Sequence, residues 1–191
     1  THALTIRNHL SSHSWLQKCC ATANFESVTL LLSTLSTPIG SLNLIADEHV
    51  LLAANLSNVR ALKESLSQED SEKEIKSVSR IPIISDLIND YFDGDIAALN
   101  AISVRQPGAS FSQAAWKAMK KVKAGKVISY GELAERAGSP AAVRAAGSAC
   151  AKNAIVLIVP CHRIVKTGGA LGNYAYGLNK KEWLLRHEGA L

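Results

Sequence analysis

The sequence predicts an α+β protein in two unlike halves: a small antiparallel sheet carrying helices, then a mostly helical unit. Three observations support this. From Val28, the runs VTLLLST, SLNLIA and VLLAANL read as short strands separated by the turn signals TPIG and DEH. From Ser110 onward the pattern is one of short helices bounded by capping residues. The charge changes as well, with 7 Lys and Arg against 12 Asp and Glu in residues 1–104, but 14 against 4 in residues 105–191.

Taken in order, residues 1–24 are a polar, patternless tail, and a sheet-bearing unit is expected over 25–102. Its three strands form an antiparallel meander. Ser57 is expected to cap a helix with Val59, Leu62 and Leu66 on one face, and SQEDSEKEIKS to be a charged surface loop or a frayed helix end. Pro82 should open a second helix whose stripe is Ile83, Ile84, Leu87, Ile88 and Tyr91, ended by DGD around Gly94. A linker is expected over 103–109, within SVRQPGAS, and the helical unit over 110–191. There Ser110 with Gln113 makes a capping box for FSQAAWKAMKKVKAG, closed by Gly125, and Ser129 with Glu132 another for YGELAERAG, closed by Gly138. Ser139 and Pro140 are the N-cap and first residue expected for a third helix, AAVRAAGSACAK. Two helices joined by AGSP read as a helix-turn-helix.

At 191 residues, 47% hydrophobic and 19% charged, the chain can bury a full core and reads as an ordinary globular protein. No apolar stretch approaches the roughly 20 residues that cross a bilayer. Thr1–Asn24 lacks the layout of a secretory signal, so an intracellular address is expected, cytoplasmic in a bacterium or nuclear in a eukaryote. Cysteines at 19, 20, 150 and 161 form no disulfide framework, and reduced thiols are expected. A metal site joining Cys19 and Cys20 to His9 or His13 would match no common zinc spacing, so neither metal nor cofactor is expected. The excess of cations after residue 104 favours a polyanion partner, with nucleic acid well ahead of a membrane surface.

The chemistry centres on VPCHRIV, where AIVLIV reads as a buried strand-like run that delivers Pro160, Cys161, His162 and Arg163. Cysteine is often simply a buried small hydrophobe. A reactive one needs a base or cation beside it; His162 and Arg163 supply these groups, but neighbours in a regular strand point to opposite faces, so His162 can act on Cys161 only if the proline bends the chain or a water bridges them. The third helix is nearly all Ala, Gly and Ser around Arg144, a surface that either packs tightly or approaches a nucleic-acid groove with one arginine probing it. Asn153 is a C-cap candidate after it. Glu182, three residues after Asn179, either caps the last helix or orients His162; spacing does not choose between the two.

VPCHRIV, GNYAYGLNKKEWLLRHEG, FSQAAWKAMKKVKAGKVISYGELAERAGSPAAVRAAGSAC and TPIGSLNLIADEHVLLAANL resemble the O6-alkylguanine-DNA alkyltransferases, over about Val28 to Gly189. The resemblance implies an RNase-H-like first unit with an antiparallel sheet, and a winged helix-turn-helix second unit that holds the active site. It implies a monomer that binds duplex DNA containing O6-alkylguanine in the minor groove and flips out the base. The alkyl group then passes irreversibly to Cys161. By the same resemblance His162 takes the thiol proton through a water, Glu182 orients His162, Tyr130 serves the guanine, and Asn153 is a hinge. Arg144 fills the gap left by the flipped base, in a DNA-binding surface of Ser139, Ala142, Ala145, Gly147 and Ser148. Tyr174, Val156, Val159, Pro160, Ala175 and Tyr176 are the implied pocket.

Val156 stands where the human family member has proline, and Tyr176 where it has glycine in the pocket loop, so poor reaction with O6-benzylguanine is expected. Activity toward O4-alkylthymine stays open. Two competing classes are a lesion-binding protein without transfer, which characteristically lacks the acceptor cysteine, and a cysteine hydrolase using Cys161 and His162. Turnover separates them: none for the first, many for the second, one for the transferase.

Overall fold

The computed structural model describes residues 29–191. The tail, with His9, His13, Cys19 and Cys20, and the first strand residue expected at Val28 lie outside the described residues. The expected meander is present as β1 (Leu30–Thr37), β2 (Gly40–Ala46) and β3 (Val50–Asn55), antiparallel in sequence order. The sheet is nonetheless mixed. β4 (Ile75–Ser77) adds parallel to β1 and β5 (Ser103–Val104) parallel to β3, giving the order β4-β1-β2-β3-β5. These edge strands arise in the stretches read as charged loop and linker, and at three and two residues they are too short for alternation to show.

Both faces of the sheet are covered, which is why β2 and β3 each carry runs of five consecutive buried residues. One face buries Leu30, Ile45, Leu52 and Ala53 against Leu62 of α1 (Val59–Glu64). The other buries Leu42, Leu44, Leu51 and Ala54 against Ile84, Ile88 and Tyr91 of α3 (Ile84–Phe92), in a core continuous with Trp116, Met119 and Leu184 of the second half. Between α1 and α3 lies the short α2 (Gln68–Ser71). The two halves therefore share one apolar interior.

Several helix starts differ from expectation, each for a local reason. Asn58 rather than Ser57 caps α1, its side chain accepting from the Ala61 N–H at 2.9 Å. α3 begins at Ile84, because Ile83, 66% exposed, sits at φ 64° at the centre of a tight turn in which the Ile84 N–H meets the Pro82 carbonyl. α4 (Ser110–Lys120) has Ala109 at its N-cap and no side-chain cap, since the Gln113 carboxamide is taken by the Gln106 carbonyl at 2.7 Å. α4 also ends before Gly125.

α5 (Tyr130–Arg136) has the expected Ser129–Glu132 capping box, and Gly138 at φ 87° ends it. There the Ser139 N–H returns to the Ala134 carbonyl and the Gly138 N–H to that of Glu135, a Schellman closure. Ser139 is thereby used to finish α5. The Ala142 N–H turns back onto the Ser139 carbonyl, and α6 starts only at Val143, running to Ala151. Parallel β6 (Ile128–Ser129) and β7 (Ile164–Val165) and then α7 (Leu178–His187) complete the unit. α7 is capped by Gly177 at φ 96°, not by Asn179 with Glu182.

Candidate active site

The AIVLIV run does not form a strand. A single parallel bridge from Ile155 to Ala54 docks it on the end of β3, after which the chain turns, with Leu157 at φ 77° and the Val159 N–H bonded to the Ile155 carbonyl. Val156 and Val159 are fully buried in this turn. Pro160 then leads into a one-turn 3-10 helix, Cys161–Arg163, where alternation along a strand no longer applies. Cys161 is 8% exposed, and Asn153 spans the turn beneath it. The Asn153 Nδ2 group donates to the Val159 carbonyl at 2.8 Å and lies 3.5 Å from Cys161 Sγ.

His162 is wholly buried, and its Nε2 lies 2.9 Å from a carboxylate oxygen, that of Glu188. The expected partner, Glu182, is half-exposed and paired instead with Arg186 at 2.7 Å, one helical turn away. The geometry of α7 explains the difference. Lys181, Leu184, Leu185 and Glu188 follow one another at helical spacing and are all buried, whereas Glu182 projects about 100° away from Lys181. Glu188 also receives both arms of Arg163, Nε on Oε2 at 2.8 Å and an Nη on Oε1 at 2.8 Å, and the Tyr91 hydroxyl on Oε1 at 2.9 Å. Arg163 thus faces Glu188 and the Val122 carbonyl, so the expected cation beside the thiol holds the carboxylate instead.

These contacts fix protonation states. Burial alone would raise the Glu188 carboxyl, but the hydrogen bonds from His162 and Arg163 bring it down to about 2. It is a carboxylate that can only accept, so Nε2 of His162 carries the hydrogen. Burial pushes the His162 imidazole below its ordinary range, against the pull of Glu188, so the ring is neutral. Its Nδ1 is then a buried acceptor without a hydrogen-bond partner among the described residues. Burial pushes the Cys161 thiol up, opposed by the Asn153 amide and the charge of Lys181, so the resting group is a thiol. Lys181 is itself buried, with its ammonium on the Ile164 carbonyl at 2.5 Å and on that of Leu171.

Cys161 opens into a cavity of about 560 Å³. Tyr130, Arg144, Gly147, Asn153, Tyr174, Ala175 and Tyr176, all singled out from the sequence, line it together with Cys161. Val143, Cys150, Ala151, Lys166 and Asn173 line it too and were not singled out. Val156, Val159 and Pro160, implied as pocket residues, are instead buried and outside this lining, and Ser139, Ala142, Ala145 and Ser148 are not part of it either. The Tyr174 hydroxyl is buried without a hydrogen-bond partner among the described residues, and the rings of Tyr174 and Tyr176 meet edge-on at 5.7 Å. α6 is held against α4 by the Trp116 indole N–H on the Ala149 carbonyl at 2.9 Å, which fixes Arg144, exposed, at the mouth. Among the described residues no group of three or more His, Cys, Asp or Glu is placed to hold a metal ion, and no helix is long and apolar enough to cross a membrane.

The family model of the 6-O-methylguanine DNA methyltransferase DNA-binding domain matches residues 110–190. Over 166 residues the chain is 37% identical to a methylated-DNA-protein-cysteine methyltransferase of Salmonella typhimurium, covering 85% of this chain and 97% of that one. The chain belongs to the methylated-DNA-protein-cysteine methyltransferase family. The crystal structure of the O6-methylguanine methyltransferase of Mycobacterium tuberculosis superposes with a TM-score of 0.67 at 31% identity, over 84% of this chain and 93% of that one. The M. tuberculosis OGT solved in complex with DNA superposes at 0.68, with 30% identity and the same coverage. Cys161, His162 and Glu188 of this methyltransferase-family chain fall inside the matched domain, whereas Tyr91 and Gln106, which touch the same network, fall outside it.

Proposed function

We propose that the protein repairs duplex DNA by direct reversal, moving the alkyl group of an O6-alkylguanine irreversibly onto Cys161. The observation that carries this reading is that the buried thiol and Arg144 of the second helix of the helix-turn-helix line one cavity. A helix that docks on DNA and a nucleophile set back from the surface can act on one base only if that base leaves the stack. The basic charge of residues 105–191 suits the phosphates on either side. Docking is in the minor groove, by a monomer, with Arg144 entering the space the base vacates.

In the loaded cavity His162 takes the Cys161 proton through a water at Nδ1, and Glu188 stabilises the imidazolium that results. The sulfur lone pair forms the S–C bond as the C–O6 bond breaks, and the charge on O6 is met by the Tyr130 hydroxyl. Burial holds that hydroxyl above its ordinary range, so it is protonated and able to donate. Asn153 steadies the thiolate, and the Tyr174 hydroxyl is available to a polar atom of the purine. A thioether has no facile return reaction, so each molecule acts once.

The test is incubation with a duplex carrying one O6-methylguanine, then peptide mass analysis. One methyl per protein, on Cys161, is expected. Repeated turnover would mean a hydrolase, and tight binding without transfer a lesion-recognition protein; either result overturns the proposal.

A further inference from the structure

Gln106, in the segment that joins the two halves, is 7% exposed, and every polar atom of its side chain is engaged. Its Oε1 accepts the Ala154 N–H at 2.7 Å and its Nε2 donates to Asn153 Oδ1 at 3.2 Å. Its backbone is fixed from both sides: Arg105 bonds through its N–H to the Leu51 carbonyl and through its guanidinium to Asp70, and Gln113 donates to the Gln106 carbonyl.

The bonds have a direction. A backbone N–H can only donate, so Ala154 dictates which end of the Gln106 carboxamide is oxygen. The remaining end is an NH₂ group that can only donate to Asn153 Oδ1. The Ile155 N–H donates to the same oxygen at 3.2 Å. With two donors on its oxygen, the Asn153 amide has its nitrogen turned toward the Val159 carbonyl and Cys161 Sγ. A rotated Asn153 would set an NH₂ against two N–H donors and an oxygen against the sulfur.

We infer that Gln106 is a positioning residue for the acceptor thiol, keeping the Asn153 N–H aimed at Cys161 Sγ so that the anion formed there is stabilised. The inference rests on the reading of Cys161 as the alkyl acceptor. It also gives the segment between the halves a part in the reactivity of the site.

The test uses the full chain and two variants. Gln106→Glu keeps an acceptor for Ala154 but turns an acceptor toward Asn153, and Gln106→Met removes the donor without adding charge. The rate of carboxamidomethylation of Cys161 by iodoacetamide, located by peptide mass, is followed against pH. Both variants should slow it about tenfold at neutral pH, moving the profile up by about one pH unit, or about 1.4 kcal/mol. Methyl transfer should slow alongside, with the affinity for lesion duplex unchanged. An unshifted profile in either folded variant overturns the inference, and a shift in Gln106→Glu alone assigns the effect to charge and overturns it too.

If neither variant folds, the unmodified protein decides: by NMR, the carboxamide signals of Gln106 and Asn153 must both titrate with the Cys161 thiol. A Gln106 signal indifferent to the thiol refutes the relay. The iodoacetamide and NMR arms need no lesion, so a wild-type protein that transfers no methyl would sink the proposed function while leaving this test readable.

Discussion

Replacing Glu188 by glutamine separates the carboxylate that the structure places on His162 from Glu182, the one that the family resemblance implied. The Glu188 side chain is 0% exposed and accepts four donors: Tyr91, His162 and two arms of Arg163. Glutamine offers one oxygen for them and turns an NH₂ group toward Arg163, leaving a guanidinium only 8% exposed without a counter-charge. Removing one partner of a buried ion pair costs about 3–5 kcal/mol. For a chain of this size the melting temperature should fall by on the order of 10 °C. Methyl transfer should slow by about 10²–10⁴-fold, since His162 loses the group that orients it and stabilises its charged form. Glu182→Gln is the control: it breaks only an i,i+4 pair whose side chains are 45% and 64% exposed, worth about 0.3–0.5 kcal/mol. Urea denaturation and single-turnover transfer are measured on both. The reasoning is refuted if Glu188→Gln stays within about 1 kcal/mol of wild type, or if Glu182→Gln is the variant that slows transfer.

Arg144→Ala removes an exposed side chain from the cavity mouth, so stability should change by no more than about 0.5 kcal/mol while duplex repair slows about tenfold; equal repair rates in a gel assay would remove Arg144 from the mechanism. Stability should climb with pH from about 2 to 6.5. Glu188 and Asp70 are held at about 2 in the fold against ordinary values of 4.5 and 3.8, so their contribution is present above those values and lost on acidification. Buried His162, depressed from 6.5, adds a loss once the unfolded chain takes up its proton; a denaturation midpoint that is flat across this range contradicts these assignments. Reaction of Cys161 with O6-benzylguanine should be slow, and Tyr176→Gly, which removes a ring lining the cavity, should speed it at least tenfold. Equal inactivation rates would show that Tyr176 does not limit the bulky group.

Much of the fold was legible because its signals are local. The meander, the Ser129–Glu132 capping box and the glycine stop at Gly138 each rest on residues a few positions apart. The start of α6 was misplaced for an equally local reason: Ser139 closes the preceding helix, and a serine before a proline reads the same either way. In the site, Cys161, Arg144 and Tyr174 stood out through their motifs. Glu188 could have been found from the buried stripe of α7 it shares with Lys181, Leu184 and Leu185, a signal the capping pattern at Asn179 and Glu182 obscured. No such signal existed for Gln106 or Tyr91.

By itself the sequence determined the α+β class, the break in charge between the halves, the helix-turn-helix and the thiol beside an imidazole. Each of these is written in neighbouring residues. Only the tertiary structure decided which groups govern that thiol, because His162 meets Glu188 across 26 residues, Asn153 meets Gln106 across 47, and Glu188 meets Tyr91 across 97. A hydrogen bond is indifferent to separation along the chain. It requires only that the shared apolar core bring the two atoms within about 3 Å of each other.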